Sequence, residues 1–429
     1  MRMLHTSDWH LGRTLHRADL RQAQTAFLDH LVDTVRSEKI DAVLVSGDVY
    51  DRAIPPVDAV ALCEDGLFRL RDAGARVIVI SGNHDSARRL GFASALVDSA
   101  GVYLRTRVGA LAQPVLLADQ HGPVAIYGVP FLEPDAVRTD LPASPESLAS
   151  HTSPKTPANN TSPNTPANNT SPTNLASNTS PTSPDNETPP RGHQGVLTRA
   201  TDCIRADLAT RGGARSVVMA HAWVAGGEAS ESERDISIGG VGRVPAGLFD
   251  GFGYTALGHL HGPQTLGERL RYSGSPLPYS FSEARQAKGS WLVDLGPDGN
   301  VQVERLPAPA FRRLTVLRGL LAELVASPAY TEFEDDFVSV VLTDTGRPEG
   351  AMDQLRRRFP HVLVLAFEPE GRDAGAASYR SRVAGRDDLA VAAEFVGHVR
   401  NSPVTAGERQ LLAAAFDDAR RAEAADGDA

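Results

Sequence analysis

Three apolar runs in the first hundred residues stop at polar clusters of one kind, and no other feature constrains the fold as strongly. "MRMLHT" leads into "SDWH", "DAVLVS" into "GDVYDR", and "RVIVIS" into "GNHDS". The third holds consecutive β-branched residues from Val77 to Ile80, the pattern of a buried strand. A plain turn accounts for Gly82 and Asn83, since both tolerate left-handed backbone angles, but it does not ask for His84. Amphipathic stretches, Leu20 to Arg36 and Val57 to Arg71, separate the strands, and a further strand pattern follows at "VAIYGVP". The alternation predicts an α/β domain with both faces of its strands covered.

In such a sheet the carboxyl ends of the strands form the ligand crevice. Asp8 and His10 follow the first strand, Asp48 and Asp51 the second, Asn83 and His84 the third. After two later strand patterns, "MAHAW" adds His221 and "GHLHG" adds His259 and His261. Hard oxygen and borderline nitrogen donors without a thiolate suit two divalent ions of the manganese, iron or zinc class. Two ions about 3.5–4 Å apart that share a carboxylate can activate water and hold both ends of an in-line phosphoryl displacement. Singly, each element has a plainer explanation: a lone histidine at a strand end is usually a hydrogen-bonding residue. Five elements in this order, each behind a strand, point to a metal centre.

Composition narrows the setting. Lys and Arg number 43 against 53 Asp and Glu, a net charge of −10, which argues against a chain that coats nucleic acid by bulk electrostatics. A local basic patch or a DNA-binding partner remains compatible with it. Cys63 and Cys203 are too few and too far apart for a disulfide framework or a cysteine metal site. No apolar run reaches the roughly 18 residues of a membrane span, and "MRMLHTSDWH" lacks a signal-peptide apolar region. A soluble cytoplasmic protein without membrane contact is expected.

Between residues 143 and 192 the pattern breaks. "TSPKTPANN", "TSPNTPANN", "TSPTNLASN" and "TSPTSPDNE" are successive nine-residue units with almost no apolar side chains, so no core can offset their ordering entropy. This is expected to be a disordered surface insert interrupting a domain that spans 1–306. From Phe311 to Glu368 the patterns run strand, helix, strand, helix, strand, which predicts a small α/β domain over 307–370. A Gly/Arg/Asp/Ala linker over 371–386 then leads to two amphipathic helices and an acidic tail over 387–429.

The order D-x-H, GD-x-x-D, GNHD, H, GHxH resembles the calcineurin-like metallophosphoesterase superfamily. More narrowly, "TSDWHLGRTLH", "SGNHDSARRL", "ALGHLHGPQ" and "RYSGSPLPYSFSEA" resemble the SbcD family, nuclease subunits of bacterial SbcCD complexes. The resemblance implies a sandwich of two mixed β-sheets flanked by helices, with a small capping domain and C-terminal helices. It implies that Asp8, His10 and His261 hold one ion, that Asn83, His221 and His259 hold the other, and that Asp48 bridges them. His84 would sit outside the metal shell and act on the leaving oxygen or stabilise the phosphorane-like charge, and Asp51 would orient its ring. Manganese is the expected metal.

The activity implied is 3′-to-5′ exonuclease action on duplex ends and endonuclease action on single strands and hairpins, in DNA repair, replication and recombination. The partners implied are an SbcC-type coiled-coil ATPase, since no G-x-x-x-x-G-K-[ST] occurs in this chain, and a second copy within a heterotetramer at the nucleoid. Arg13, His16, Arg88 and Arg89 flank the metal loops and can grip phosphates, with Arg52 a weaker candidate; the plainer reading is solvent-facing charge. The competing function keeps the same metals but acts on a small phosphate ester or nucleotide. A DNA-end scaffold with a vestigial site is disfavoured because every expected ligand is present.

Overall fold

The computed structural model describes residues 1–137, 140–141, 191–233, 242–370, 387–400 and 402–426. The repeat insert, apart from its last two residues, and the linker expected over 371–386 lie outside the described residues. The chain divides into two compact units, Met1–Leu342 with Glu349–Ala366, and Thr343–Pro348 with Phe367–Ala429.

Two six-stranded mixed sheets form the body of the first unit. In one, β1 (Arg2–Thr6), β4 (Ala42–Ser46), β5 (Arg76–Ile80) and β6 (Val102–Leu104) run parallel, β13 (Gly289–Leu295) adds antiparallel to β1, and β14 (Val301–Pro307) adds antiparallel to β13. In the other, β8 (Gly122–Val129), β9 (Arg215–His221), β10 (Tyr254–Gly258) and β12 (Leu270–Tyr272) are parallel, edged by β7 (Val115–Asp119) and β11 (Gln264–Thr265). A hairpin of β2 (Thr14–Leu15) and β3 (Ala18–Asp19) stands apart from both.

The strands read as continuous apolar runs because successive side chains serve two cores. Met3, Ala42, Leu44, Ile78 and Ile80 share one buried cluster with Val217, Met219, Tyr254 and Ala256 of the other sheet, which is the sandwich centre. Their alternates, Leu4, Val43, Val45, Val77 and Val79, cluster with Phe27, Leu28, Leu31 and Cys63 from the helices Arg21–Glu38 and Val57–Asp72. On the far side, Val218, Ala220 and Leu257 meet Val196, Leu197, Ala200 and Ile204 of the helix Gly192–Ala209. The layers are therefore helix, sheet, sheet, helix, as the sandwich expectation required.

A third sheet covers the span expected for the small α/β domain. β15 (Leu314–Gly319), β16 (Phe337–Leu342) and β17 (Val362–Phe367) form one sheet, with helices Leu321–Ala326 and Ala351–Arg358 in the connections. Leu314 and Phe337 pack with Leu15, Leu20, Ala23, Leu277 and Tyr279, which seats this sheet against the body next to the first metal loop.

In the second unit, helices Asp388–Arg400 and Ala406–Asp426 pair with each other. Thr405 and Glu408 close a capping box at the start of the second: Glu408 accepts from the Thr405 main chain at 2.8 Å, and Thr405 Oγ1 accepts from the Glu408 main chain at 3.4 Å. Phe395, Val399 and Leu411 remain exposed on this pair. Among the described residues no helix is long and apolar enough to cross a membrane.

Candidate metal centre

Register brings the strand ends together. Thr6 pairs with Val45, Ser46 with Ile80, and His221 with Gly258, so the loops that follow emerge at common levels along each sheet. The first two loops continue as a ladder: the main-chain N–H groups of Asp8 and His10 donate to Gly47 and Asp48 carbonyls at 3.0 and 2.9 Å. The two sheets meet at Ser46, whose carbonyl accepts from His221 Nδ1 at 2.9 Å. Glycine is required at two of these junctions. A Cβ on Gly82 would overlap the Asp48 carboxylate, and one on Gly258 would overlap the Ser46 carbonyl.

The backbone is strained where the ligands sit. Asp8, His10, Asp48 and His259 have φ of 53°, 44°, 48° and 108°, in the left-handed region that L side chains avoid. Each such residue costs on the order of 1–3 kcal/mol and persists only where its surroundings over-determine it. The surroundings here are the buried carboxyl edges of two sheets.

The geometry gathers every sequence-predicted ligand. Ligand atoms of Asp8, His10 and His261 lie within 4.8 Å of one another, as do those of Asp8, Asp48 and His221 and those of His10, Asp48 and His84. His10 Nε2 is 3.0 Å from His261 Nε2 and 3.7 Å from Asp48 Oδ2. On the other side of Asp48, His221 Nε2 is 3.5 Å from Oδ2, and Asn83 Oδ1 lies 2.9 Å from His221 Nε2 and 3.1 Å from His259 Nδ1. Asp48 therefore stands between two groups of donors. Apart from Asn83 and His84, which are part-buried, all these residues are buried.

The donor chemistry fits divalent cations. His221 donates its Nδ1 proton to Ser46, and His261 Nδ1 faces the Ser232 hydroxyl at 2.5 Å, so both rings direct Nε2 into the cluster. His259 Nε2 and Asn83 Nδ2 are buried without partners. Burial holds His10 well below its ordinary pKa, and burial with the neighbouring His221 brings His259 down to about 3, so both rings are neutral and can ligate. Burial alone would raise Asp48, but the imidazoles of His221, His10 and His84 hold it well below the usual carboxylate range. Burial would likewise lower His221, yet Asp48 lifts it to about 9. Burial pushes Asp8 up to about 6.

His84 sits at the rim, its ring 4.8 Å from that of His10 and perpendicular to it. Its Nδ1 donates to the main-chain carbonyl of Asp51 at 2.8 Å. The expectation that the Asp51 carboxylate orients this ring is thus corrected in its atom. That carboxylate instead lies 3.7 Å from His10 Nδ1 and from Arg13 Nε, because the turn after β4 points the side chain back toward the first loop.

The basic residues separate into two kinds. Arg13 is built into the wall: Nη2 donates to the Ser232 carbonyl at 2.8 Å and the guanidinium lies 4.9 Å over the Tyr279 ring. His16, Arg52, Arg88 and Arg89 are exposed, with Arg89 tied to the Ala53 carbonyl at 3.0 Å. None of these four belongs to the ligand cluster.

Three groups escape a sequence reading. Asp85 accepts main-chain N–H bonds from Val49, Tyr50 and Gly82 at 3.1, 2.9 and 2.9 Å, locking the second loop to the third. Its place in "GNHDS" was a signal, since a carboxylate beside exposed loop amides is a ready acceptor. Tyr279 lies 5.4 Å from His10 and 5.7 Å from His261, ring to ring, and donates to the Trp9 carbonyl. Glu283 and Lys288 form a buried ion pair behind His261, for which spacing gave no signal.

Comparison with known families agrees with this geometry. The calcineurin-like phosphoesterase family matches residues 1–165, and the type 5 capsule protein repressor C-terminal domain, the SbcD-type C-terminal domain, matches 310–399. His221, His259 and His261 lie beyond the first match and join it through the paired sheets. The chain thus carries a calcineurin-like phosphoesterase domain at its N-terminus and an SbcD-type C-terminal domain toward its C-terminus, an arrangement consistent with SbcD.

Proposed function

We propose that this chain is a manganese-dependent DNA nuclease, the phosphodiesterase subunit of an SbcCD-type complex that processes DNA ends. The observation that carries the reading is the placement of Asp48 between two sets of buried donors. Asp8, His10 and His261 with Asp48 would hold one ion; Asn83, His221 and His259 with Asp48 would hold the other. Carboxylate, amide and imidazole donors suit manganese. Bound there, the ions supply Lewis acidity to a phosphodiester and lower the pKa of water.

The protein's own groups do the rest. With Nδ1 committed to the Asp51 carbonyl, His84 presents Nε2 at the rim, where it holds the proton that the departing alkoxide needs. Asp51 is a positioning residue for both His84 and His10. Exposed Arg52, Arg88, Arg89 and His16 are candidates for DNA phosphates, and Arg13 holds the wall behind them. A net charge of −10 places DNA affinity in such local contacts and in a partner.

The domains are assigned as a nuclease domain over 1–306, a capping domain over 307–370, and partner-binding helices over 387–429. Exposed Phe395, Val399 and Leu411 suit docking on the coiled coil of an SbcC-type ATPase, in a heterotetramer with two nuclease subunits in the cytoplasm, at the nucleoid. Exonuclease action of 3′-to-5′ polarity and hairpin or single-strand endonuclease action belong to the same reading. The test incubates the purified chain, with and without the ATPase, with manganese and labelled duplex and hairpin DNA beside small phosphate esters. DNA cleavage supports the reading; hydrolysis of the small esters alone transfers the site to the competing function.

A further inference from the structure

Behind the first ligand set lies a buried polar chain that the metal reading does not use. Ser232 Oγ donates its single proton to Glu283 Oε1, so its oxygen is free to accept, and it faces His261 Nδ1 at 2.5 Å. Glu283 is fully buried, and its other oxygen accepts from Lys288 Nζ at 2.5 Å. Lys288 also donates to the His261 carbonyl at 2.9 Å, to Ser275 Oγ at 2.9 Å and to Gln286 Oε1 at 2.8 Å. Glu233 Oε1 takes the main-chain N–H of His261 at 2.7 Å. His261 is therefore held at its ring, its amide and its carbonyl by three separate side chains.

We propose that Ser232 and Glu283 form a hydroxyl-linked relay that fixes the tautomer and aim of His261, and thereby the affinity of the Asp8–His10–His261 subsite. Glu283 cannot donate, and its contact with the Ser232 hydroxyl is closer than that of Ser230 Oγ at 3.1 Å, whose own proton goes to Glu233 Oε2. The Ser232 proton therefore goes to Glu283, which makes His261 the donor at Nδ1 and leaves Nε2 bare, 3.0 Å from His10 Nε2. Lys288 has a separate task. A lone carboxylate with no exposure is costly, and its ammonium partner keeps Glu283 ionised inside the protein. Arg13 completes the arrangement by donating from Nη2 to the Ser232 carbonyl at 2.8 Å. Ser232 and Glu283 are positioning residues: they act through His261.

The inference rests on the metal reading and is tested by manganese titration calorimetry on metal-free full-length chain, with melting temperature in chelator as the fold control. The unaltered chain binds two ions. Ser232→Ala should bind one ion normally and the other about 10–100-fold more weakly, the usual cost of losing an outer partner of a histidine ligand. Ser232→Thr, which keeps a hydroxyl, should restore the affinity. Glu283→Gln with Lys288→Met removes both buried charges without orphaning either, and with Ser232 intact it should still weaken the same ion. Two ions bound to Ser232→Ala as tightly as to the unaltered chain overturn the relay. Full affinity for both ions in the double variant overturns the part given to Glu283. An unaltered chain that binds no manganese overturns the metal reading itself, and the relay with it.

Discussion

The main-chain N–H of His84 donates to Asp48 Oδ1 at 2.8 Å, while Oδ2 of the same carboxylate lies 3.7 Å from His10 Nε2 and 3.5 Å from His221 Nε2. One oxygen thus fixes the third loop and the other faces both donor sets. Asp48→Ala should lose both ions and all phosphodiesterase activity. Asp48→Asn keeps an acceptor for the His84 amide but loses the charge, and should retain the fold without the activity. Metal analysis and melting temperature check this; near-normal cleavage by either variant at saturating manganese would remove Asp48 from the bridging position.

His84 is the contrasting case, placed beside the ligands with its Nδ1 proton held by the Asp51 carbonyl. His84→Ser should bind both ions and lower kcat by roughly 10²–10⁴-fold, the usual worth of a general acid. Because a main-chain carbonyl does the orienting, Asp51→Asn should leave the His84 function largely intact. Loss of one ion in His84→Ser would reassign His84 as a ligand.

Asp85 offers a test of the scaffold. Its carboxylate receives the amides of Val49, Tyr50 and Gly82, neighbours of Asp48 and Asn83. Asp85→Ala leaves these donors without their acceptor, at about 1–3 kcal/mol for each one kept from water. Urea unfolding should show that loss together with weakened manganese binding. Unchanged stability would mean that water or a shifted loop replaces the carboxylate.

Manganese affinity should depend on pH in a defined direction. In the metal-free chain His221 is raised to about 9 by Asp48, so at neutral pH it carries a proton that an ion must displace. Asp8, raised to about 6 by burial, adds a second proton below that value. Affinity for the ion held by His221 should therefore rise by about tenfold per pH unit up to about 9 and level off above, while affinity for the ion held by Asp8 should do the same up to about 6, as one displaced proton per ion requires. Calorimetry in buffers of different ionisation enthalpy counts the released proton directly. Affinity independent of pH over that interval would show that His221 is already neutral.

The separation of docking from chemistry is also testable. A chain ended at Gly385 loses the paired helices with exposed Phe395, Val399 and Leu411 but keeps every residue of the metal centre. It should cleave DNA with manganese at near-normal rate while failing to co-purify with the ATPase. Normal co-purification would place the attachment elsewhere.

What the sequence revealed and what it hid follow a physical division. The strand ends were legible because a short buried strand, a glycine and a ligand recur within a few residues, and Gly82 and Gly258 are there for close approach to Asp48 and Ser46. The order of elements in the small domain was legible for the same reason, as periodicity is local. The helix Gly192–Ala209 was missed, since its boundary falls against the repeats and obscures the pattern. Spacing could not reveal that Asp51 serves His84 through its carbonyl, nor the positive φ of Asp8, His10, Asp48 and His259. Ser232, Glu283 and Lys288 were hidden because what unites them is a tertiary contact with His261.

The central claim is that two ions shared by Asp48 cut DNA. The most direct measurement titrates manganese into the metal-free chain, reading bound ion by electron paramagnetic resonance while the same samples cleave an end-labelled duplex. The account predicts two ions per chain, cleavage that appears as the second site fills, and complete loss on chelation. Cleavage that saturates with one ion bound, or DNA left intact with both sites full while a small phosphate ester is hydrolysed, would contradict it.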